Sequence, residues 1–204
     1  YTNAGQNCQS PTRMLVHVSQ RAAAFDAARA AVASIKLGDP LLPETTLGPL
    51  VSQSQFDKVQ RLIQSGIAEG ATLVAGGQGR PVEMNRGYYV HPTVFGDVTP
   101  QMTIAREEIF GPVLSILNYE TEEEAIEIAN DTPFGLAGFV QSSDPERALR
   151  VARRIRAGRV YLNGAPFDRS LPFGGYKQSG NGREFGVYGF REYLEVKAML
   201  GYPG

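Results

Sequence analysis

Cys8 is the single cysteine among the 204 residues, so no internal disulfide can claim it. It stands in Asn3-Ala4-Gly5-Gln6-Asn7-Cys8, just past a glycine and among amide side chains. A thiol attacks as its thiolate, which a helix N-terminus favours. If residues 6–10 open a helical turn, Cys8 lies near free backbone N–H groups. Such groups can also hold an oxyanion formed by attack on a carbonyl. Gly5 gives the turn its backbone freedom. The competing reading is a buried structural cysteine, the commoner fate of a free thiol.

A second constellation is Arg106-Glu107-Glu108-Ile109-Phe110-Gly111-Pro112. A carboxylate here could accept bidentate hydrogen bonds from ribose hydroxyls, and Phe110 could pack on a flat ring. Taken alone, the same residues also read as a helix end with solvated acids. A third is Leu171-Pro172-Phe173-Gly174-Gly175-Tyr176-Lys177-Gln178-Ser179-Gly180. It matches neither the P-loop nor the dinucleotide fingerprint, so it reads as a pocket wall or tight turn. The two histidines, His17 and His91, lie in a strand pattern and before a proline, which favours structural roles over a Cys–His pair. A thiol hydrolase using Cys8 alone ranks lower for that reason. No Cys/His cluster has metal-ligand spacing, so no metal is expected.

The elements that must position these residues alternate in type. Strands are expected at 12–18, 72–75, 88–94 (broken by Pro92), 112–119, 138–141 and 160–162. Helices are expected at 22–36, 52–69, 122–129 and from 144 to a stop at Gly158. Thr121 and Glu124 form a capping box, and Asp144-Pro145 is a cap followed by a first-turn proline. Residues 103–108 read as a short polar segment. Alternation of this kind predicts an α/β fold: three αβα layers around a mainly parallel sheet.

Composition narrows the class. Hydrophobic residues make up 42% and charged residues 20%, as in an ordinary globular protein. Net charge is -1, from 20 basic and 21 acidic residues, which argues against nucleic acid or an anionic membrane as partner. The arginines at 147, 150, 153, 154 and 156 read as a solvated basic face. Asn130-Asp131-Thr132 fits a glycosylation sequon but reads more simply as a helix end. A lone cysteine and the absence of a signal pattern favour the cytoplasm. The chain opens without methionine, which suggests a processed or excised piece.

Taken together, the chain resembles the aldehyde dehydrogenase superfamily. Residues 3–8 match its nucleophile motif, 107–113 its cofactor-contact motif, and 172–180 with Gly182-Arg183-Glu184 its C-terminal signature. The order agrees, and the similarity runs to about Lys197.

The resemblance implies that Cys8 attacks an aldehyde, giving a thiohemiacetal and then a thioester that is hydrolysed. Its backbone N–H would supply half of the oxyanion hole. NAD or NADP would take the hydride, with Glu108 on the nicotinamide ribose and Phe110 packed nearby. Phe173 would line the substrate tunnel and Glu184 would be a supporting carboxylate, while Asn163 and Lys177 look like loop and strand supports.

The family's dinucleotide-binding domain, general-base glutamate and second oxyanion donor precede the cysteine. Only seven residues do so here, none of them acidic. The chain is therefore expected to be the family's catalytic domain (1–190) with a C-terminal oligomerisation segment (191–204), inactive alone. Tyr193–Lys197 reads as a strand feeding a homo-oligomer contact. The alternative is a non-enzymatic remnant acting as an assembly or interaction domain.

Overall fold

Along Val113–Tyr119 the residues alternate between two apolar environments, as a strand covered on both faces requires. Val113 and Leu117 join one buried cluster and Ile116 another. This strand, β4, is the centre of a four-stranded sheet ordered β1-β4-β3-β2, with β1 at Arg13–His17, β3 at Thr93–Gly96 and β2 at Thr72–Ala75. β1, β4 and β3 run parallel, and β2 joins β3 antiparallel with a register shift between Leu73 and Ala75. In the computed structural model residues 1–201 are described, and the chain divides into two compact units, Tyr1–Thr132 and Pro133–Gly204.

In the first unit, helices cover both faces of the sheet. The alanine-rich α1 (Arg21–Ala33) lays Phe25, Ala24, Ala28 and Val32 on Val16, Val94, Ile116 and Val74. The fit is close: a Cβ on Gly96 would lie 2.0 Å from the Phe25 ring. On the other face α2 (Gln53–Ala68) buries Val59, Leu62 and Ile63, and the single turn α3 (Thr103–Arg106) buries Ile104 and Ala105. They pack with Phe95, Val113 and Leu117. Two buried hydroxyls in this core are satisfied: Ser115 Oγ donates to the Ile104 carbonyl, and Thr93 Oγ1 donates to the His91 carbonyl. α4 (Glu122–Asn130) is capped by Thr121, whose side chain accepts the Glu124 N–H. The fold is thus the expected α/β arrangement of mixed and parallel strands with flanking helices.

The second unit is built around a βαβ crossover. β5 (Ala137–Val140) and β6 (Arg159–Leu162) pair in parallel, joined through α5 (Pro145–Ala152). Asp144 caps α5 by accepting the Glu146 and Arg147 N–H groups, with Pro145 in the first turn. Phe139 and Tyr161 stack across the strand pair with ring centroids 5.0 Å apart. Elsewhere this unit packs backbone on backbone. A Cβ on Gly158 would lie 1.7 Å from the Gly174 carbonyl oxygen, and one on Gly174 would lie 2.5 Å from that of Gly182. A short helix α6 (Gly186–Arg191) follows.

Several expected boundaries move, each for a local reason. The strand expected over 88–94 begins at Thr93, because Pro92 has no N–H for the ladder; Tyr88 instead makes an isolated bridge with Leu50. The polar segment at 103–108 contains the helical turn α3. α1 stops at Ala33, where Ser34 Oγ takes the Ala31 carbonyl and Ile35 N–H reaches back to Val32. α5 stops at Ala152, not Gly158, since Arg154 and Ile155 N–H groups tighten onto the carbonyls of Val151 and Ala152. Tyr193–Lys197 forms no strand and is exposed. Among the described residues no helix is long and apolar enough to cross a membrane.

Candidate active site

The residues ahead of β1 form a left-handed turn. Asn3, Ala4 and Gly5 have φ of 53°, 55° and 71° in succession. Left-handed backbone costs about 1–2 kcal/mol for a residue with a Cβ, so surrounding contacts must hold Asn3 and Ala4 there. Tyr1 supplies one contact, its hydroxyl donating 2.7 Å to the Thr93 carbonyl. Burial raises its phenol pKa, so this donor keeps its proton. Gln6 supplies another: its Oε1 accepts the Val51 N–H at 2.9 Å. Gly5 lies so close to Gly111 that an added Cβ would sit 2.1 Å from the Gly111 carbonyl oxygen.

Beyond that lock, Cys8 is exposed. The expected helical turn at 6–10 is instead a tight turn, with Ser10 N–H bonded to the Asn7 carbonyl at 3.0 Å and Gln9 N–H to Asn7 Oδ1 at 2.9 Å. Exposure removes the buried, inert reading of Cys8. Among the described residues its sulfur has no hydrogen-bond partner. Tyr1 bonds at the start of β3, and Gly5 abuts the residue two before β4. The thiol loop therefore sits at the N-terminal rim of the parallel strands.

The second motif meets the same rim. Phe110 is half-buried with φ of 55°, another non-glycine residue in the left-handed region. Gln55 of α2 holds it: its Nε2 donates to the carbonyls of Ile109 (3.0 Å) and Phe110 (2.8 Å). Ile109 anchors the segment in the core at 1% exposure. Glu107 turns to Arg61, 3.4 Å away. Glu108 is exposed, and among the described residues its carboxylate has no partner. An acceptor with no internal claim on it can take two hydroxyl donors.

Phe173 and Glu184 belong to the second unit, where they pair through the backbone. Each N–H donates to the other's carbonyl, at 2.8 Å from Phe173 and 2.6 Å from Glu184. Phe173 packs with Phe167 and Phe185 at centroid distances of 6.3 Å each. Arg159 organises this cluster. Its guanidinium lies 4.4 Å from the Phe167 centroid and 5.6 Å from that of Phe173, while Nη2 donates to the Leu171, Asp168 and Pro172 carbonyls. A shallow recess of about 310 Å³ is lined by Phe173, Gly174, Gly175, Arg183 and Glu184.

His17 is held at the other end of β1, its Nδ1 2.7 Å from Ser19 Oγ and its Nε2 3.1 Å from the Glu120 carbonyl. That is the rim opposite Cys8. The basic residues of 147–156 are exposed. Asn163, with φ of 47°, accepts the Ser142 N–H at 2.9 Å, a loop-closing contact. Sequence reasoning missed Gln55 and Arg159, and it read Gln6 only as part of the thiol motif, without its bond to Val51. Gln55 acts on carbonyls distant along the chain and makes no motif with its neighbours. Arg159 fell just ahead of the strand expected at 160–162 and in none of the motifs.

These features define an α/β protein that presents its only thiol on a locked loop at the rim of its sheet, beside an exposed carboxylate segment. The family model described as the aldehyde dehydrogenase family matches residues 1–199. A 3-succinoylsemialdehyde-pyridine dehydrogenase from a Pseudomonas species is 54% identical over 202 residues, 99% of this chain and 42% of that protein. Aldehyde dehydrogenase C of Pseudomonas syringae, solved with NAD+ and octanal, superposes with a TM-score of 0.95 at 51% identity, covering 98% of this chain and 41% of that one. The Mycobacterium tuberculosis aldehyde dehydrogenase solved with NAD+ gives a TM-score of 0.92 at 44% identity, covering 98% of this chain and 42% of that one. The chain belongs to the aldehyde dehydrogenase family. It spans about two fifths of the length of the relatives it matches.

Proposed function

We propose that this chain carries the nucleophile of an NAD(P)-dependent aldehyde dehydrogenase, which oxidises a small-molecule aldehyde to a carboxylic acid. The observation that carries this reading is the exposed Cys8 on its locked left-handed loop. NAD+ in two of the superposing structures and octanal in one support the cofactor and substrate class.

In this reading the Cys8 thiolate adds to the aldehyde carbon and forms the C–S bond of a thiohemiacetal. The Cys8 backbone N–H steadies the oxyanion that develops on the former carbonyl oxygen. NAD or NADP, when bound, would supply the acceptor for the hydride lost from this carbon. Water then cleaves the Cys8 thioester, releasing the acid and returning the thiol. Glu108 would hold the ribose of that group, consistent with a carboxylate that has no internal partner. Phe110 is held by Gln55 for ring contact. Phe173 serves substrate contact, and Glu184, locked to it through two backbone bonds, supports its position.

Acyl transfer tests the thiol directly. An activated ester mixed with the purified chain should give one acyl adduct by intact mass, mapped to Cys8 and abolished in Cys8→Ala. An adduct that persists in Cys8→Ala overturns the assignment. The 204-residue chain by itself should form no NADH from NAD and octanal. NADH formation from it would show that these residues suffice.

A second role, in self-association, is favoured by the apolar side chains after Gly186. Phe190 is 64% exposed, Tyr193 88%, Val196 95% and Leu200 95%. We place the oligomer contact there, in the segment 191–204, of which 202–204 lie outside the described residues, with a second copy of the chain as partner.

A further inference from the structure

The beginning of α2 touches both loops that carry the proposed chemistry. Val51, just before the helix, donates its N–H to Gln6 of the thiol loop at 2.9 Å. Ser52 caps α2 by accepting the Gln55 N–H. Gln55, in the first turn, gives both protons of its amide to the carbonyls of Ile109 and Phe110. One turn further on, Val59 packs on Gly111, where a Cβ would lie 2.5 Å from Val59 Cγ2. Gly111 is in turn the residue against which Gly5 closes. The contacts form a ring: thiol loop to Val51, through α2 to Phe110 and Gly111, and back to Gly5.

We propose that the first turn of α2 is a bracket that fixes the register between the Cys8 loop and the Glu108–Phe110 segment, with Gln6 and Gln55 as its positioning residues. The inference rests on the reading of those two loops as nucleophile and cofactor contact. Neither glutamine touches a reacting atom in it. Both segments hold residues in left-handed backbone, at Asn3, Ala4 and Phe110. Such conformations persist only where contacts over-determine them. Gln55 does so from the helix end, and Gln6 ties the thiol loop to Val51 just ahead of that end, so a shift in one loop is carried to the other. At position 55 the requirement is for a donor, because it faces two carbonyls. At position 6 the requirement is chiefly for an acceptor, because it faces the Val51 N–H.

Alkylation of Cys8 by iodoacetamide, followed across pH in the 204-residue chain, tests this without relying on aldehyde oxidation. Gln6→Met and Gln55→Met should each change the high-pH plateau rate by about threefold or more, since each removes hydrogen bonds of ordinary strength. The pH midpoint should stay in place, because neither change adds or removes charge. The double variant should do no more than the larger single one, because both amides act through one bracket. Gln55→Glu, isosteric but lacking the donor, should be at least as altered as Gln55→Met.

A plateau rate unchanged in Gln55→Met or in Gln55→Glu overturns the proposal, as do independent, multiplying effects of the two Met substitutions. Should a Met variant fail to fold by circular dichroism, the comparison of Gln55→Glu with the parent chain decides by the same criterion. Failure of acyl transfer by the parent chain would sink the nucleophile reading instead, and leaves the alkylation pattern as a separate result.

Discussion

Gly5 is where the demands on one residue are sharpest. Its φ of 71° suits glycine, and its missing side chain lets the Gly111 carbonyl approach. Gly5→Ala should therefore destabilise the first unit by about 3 kcal/mol, combining strain with a backbone clash. Urea unfolding of the variant would check this, and a midpoint equal to the parent's would refute it. Cys8 could be singled out from sequence because it is the chain's only thiol and its neighbours form a rare hexapeptide. For Glu108 the residues alone left a ribose contact and a solvated helix end both open. What the residues alone could not give was exposure: the sequence left Cys8 open between a buried core cysteine and a reactive one. That choice depends on Gln6 meeting Val51 and Gly5 meeting Gly111, contacts spanning 45 residues in one case and more in the other.

At the scale of elements, the C-terminal rim of the sheet is closed by one carboxylate. Asp97 follows β3 with φ of 53° and accepts from Arg21 after β1, Thr72 of β2 and Asn118 of β4. It ties β2, β3 and β4 to the first residue of α1. The hydrogen bonds from Arg21, opposed by partial burial and aided by Thr72 and Asn118, bring its pKa down from 3.8 to about 2. Asp97 thus binds its proton less readily folded than unfolded. Its stabilisation is full above pH ~4 and is lost as pH falls through ~2. The side chain is 32% exposed, so solvent screening leaves on the order of 1 kcal/mol. Acid unfolding of Asp97→Asn should show a shallower fall between pH ~4 and ~2 than the parent chain. Equal slopes would rule out Asp97 as the titrating group.

Element types were readable from period and caps, as for α4 behind Thr121 and α5 behind Asp144. Their ends were less so. α1 and α5 each finish in i→i+3 bonds, α1 three residues before the expected end at 36 and α5 six before Gly158. A tightening last turn leaves little trace in composition.

For the molecule as a whole, the two units are stabilised differently. The first buries large side chains on both faces of its sheet, with Val59, Leu62, Ile63, Phe95, Ile116 and Leu117 all at 0% exposure. Leu62→Ala there should cost about 2–5 kcal/mol, read as a lower urea midpoint. The second has far fewer buried apolar side chains, among them Ala148 and Tyr161. Heating followed by amide exchange should show protection lost earlier in 133–201 than in 1–132. Loss at one temperature throughout would contradict that. The exposed apolar residues beyond Gly186 should drive association, so light scattering should report a species larger than the monomer. Tyr193→Glu with Val196→Glu should reduce it, while a strictly monomeric parent would remove the basis for a contact there.

The close approach of Gly158 to the Gly174 carbonyl bears on which substitutions the protein can survive. Where backbone meets backbone, any side chain is an intrusion, and no repacking of neighbours can absorb it. In a library covering every substitution at every position, the first unit should lose variants mainly at its large apolar positions and forgive swaps of similar volume. The second unit should show a different map, with its blank columns at Gly158 and Gly174 and wide latitude at Phe139 or Val160. Mutational tolerance would then be set mainly by shape in the first unit, glycines such as Gly5 aside, and by the absence of side chains in the second.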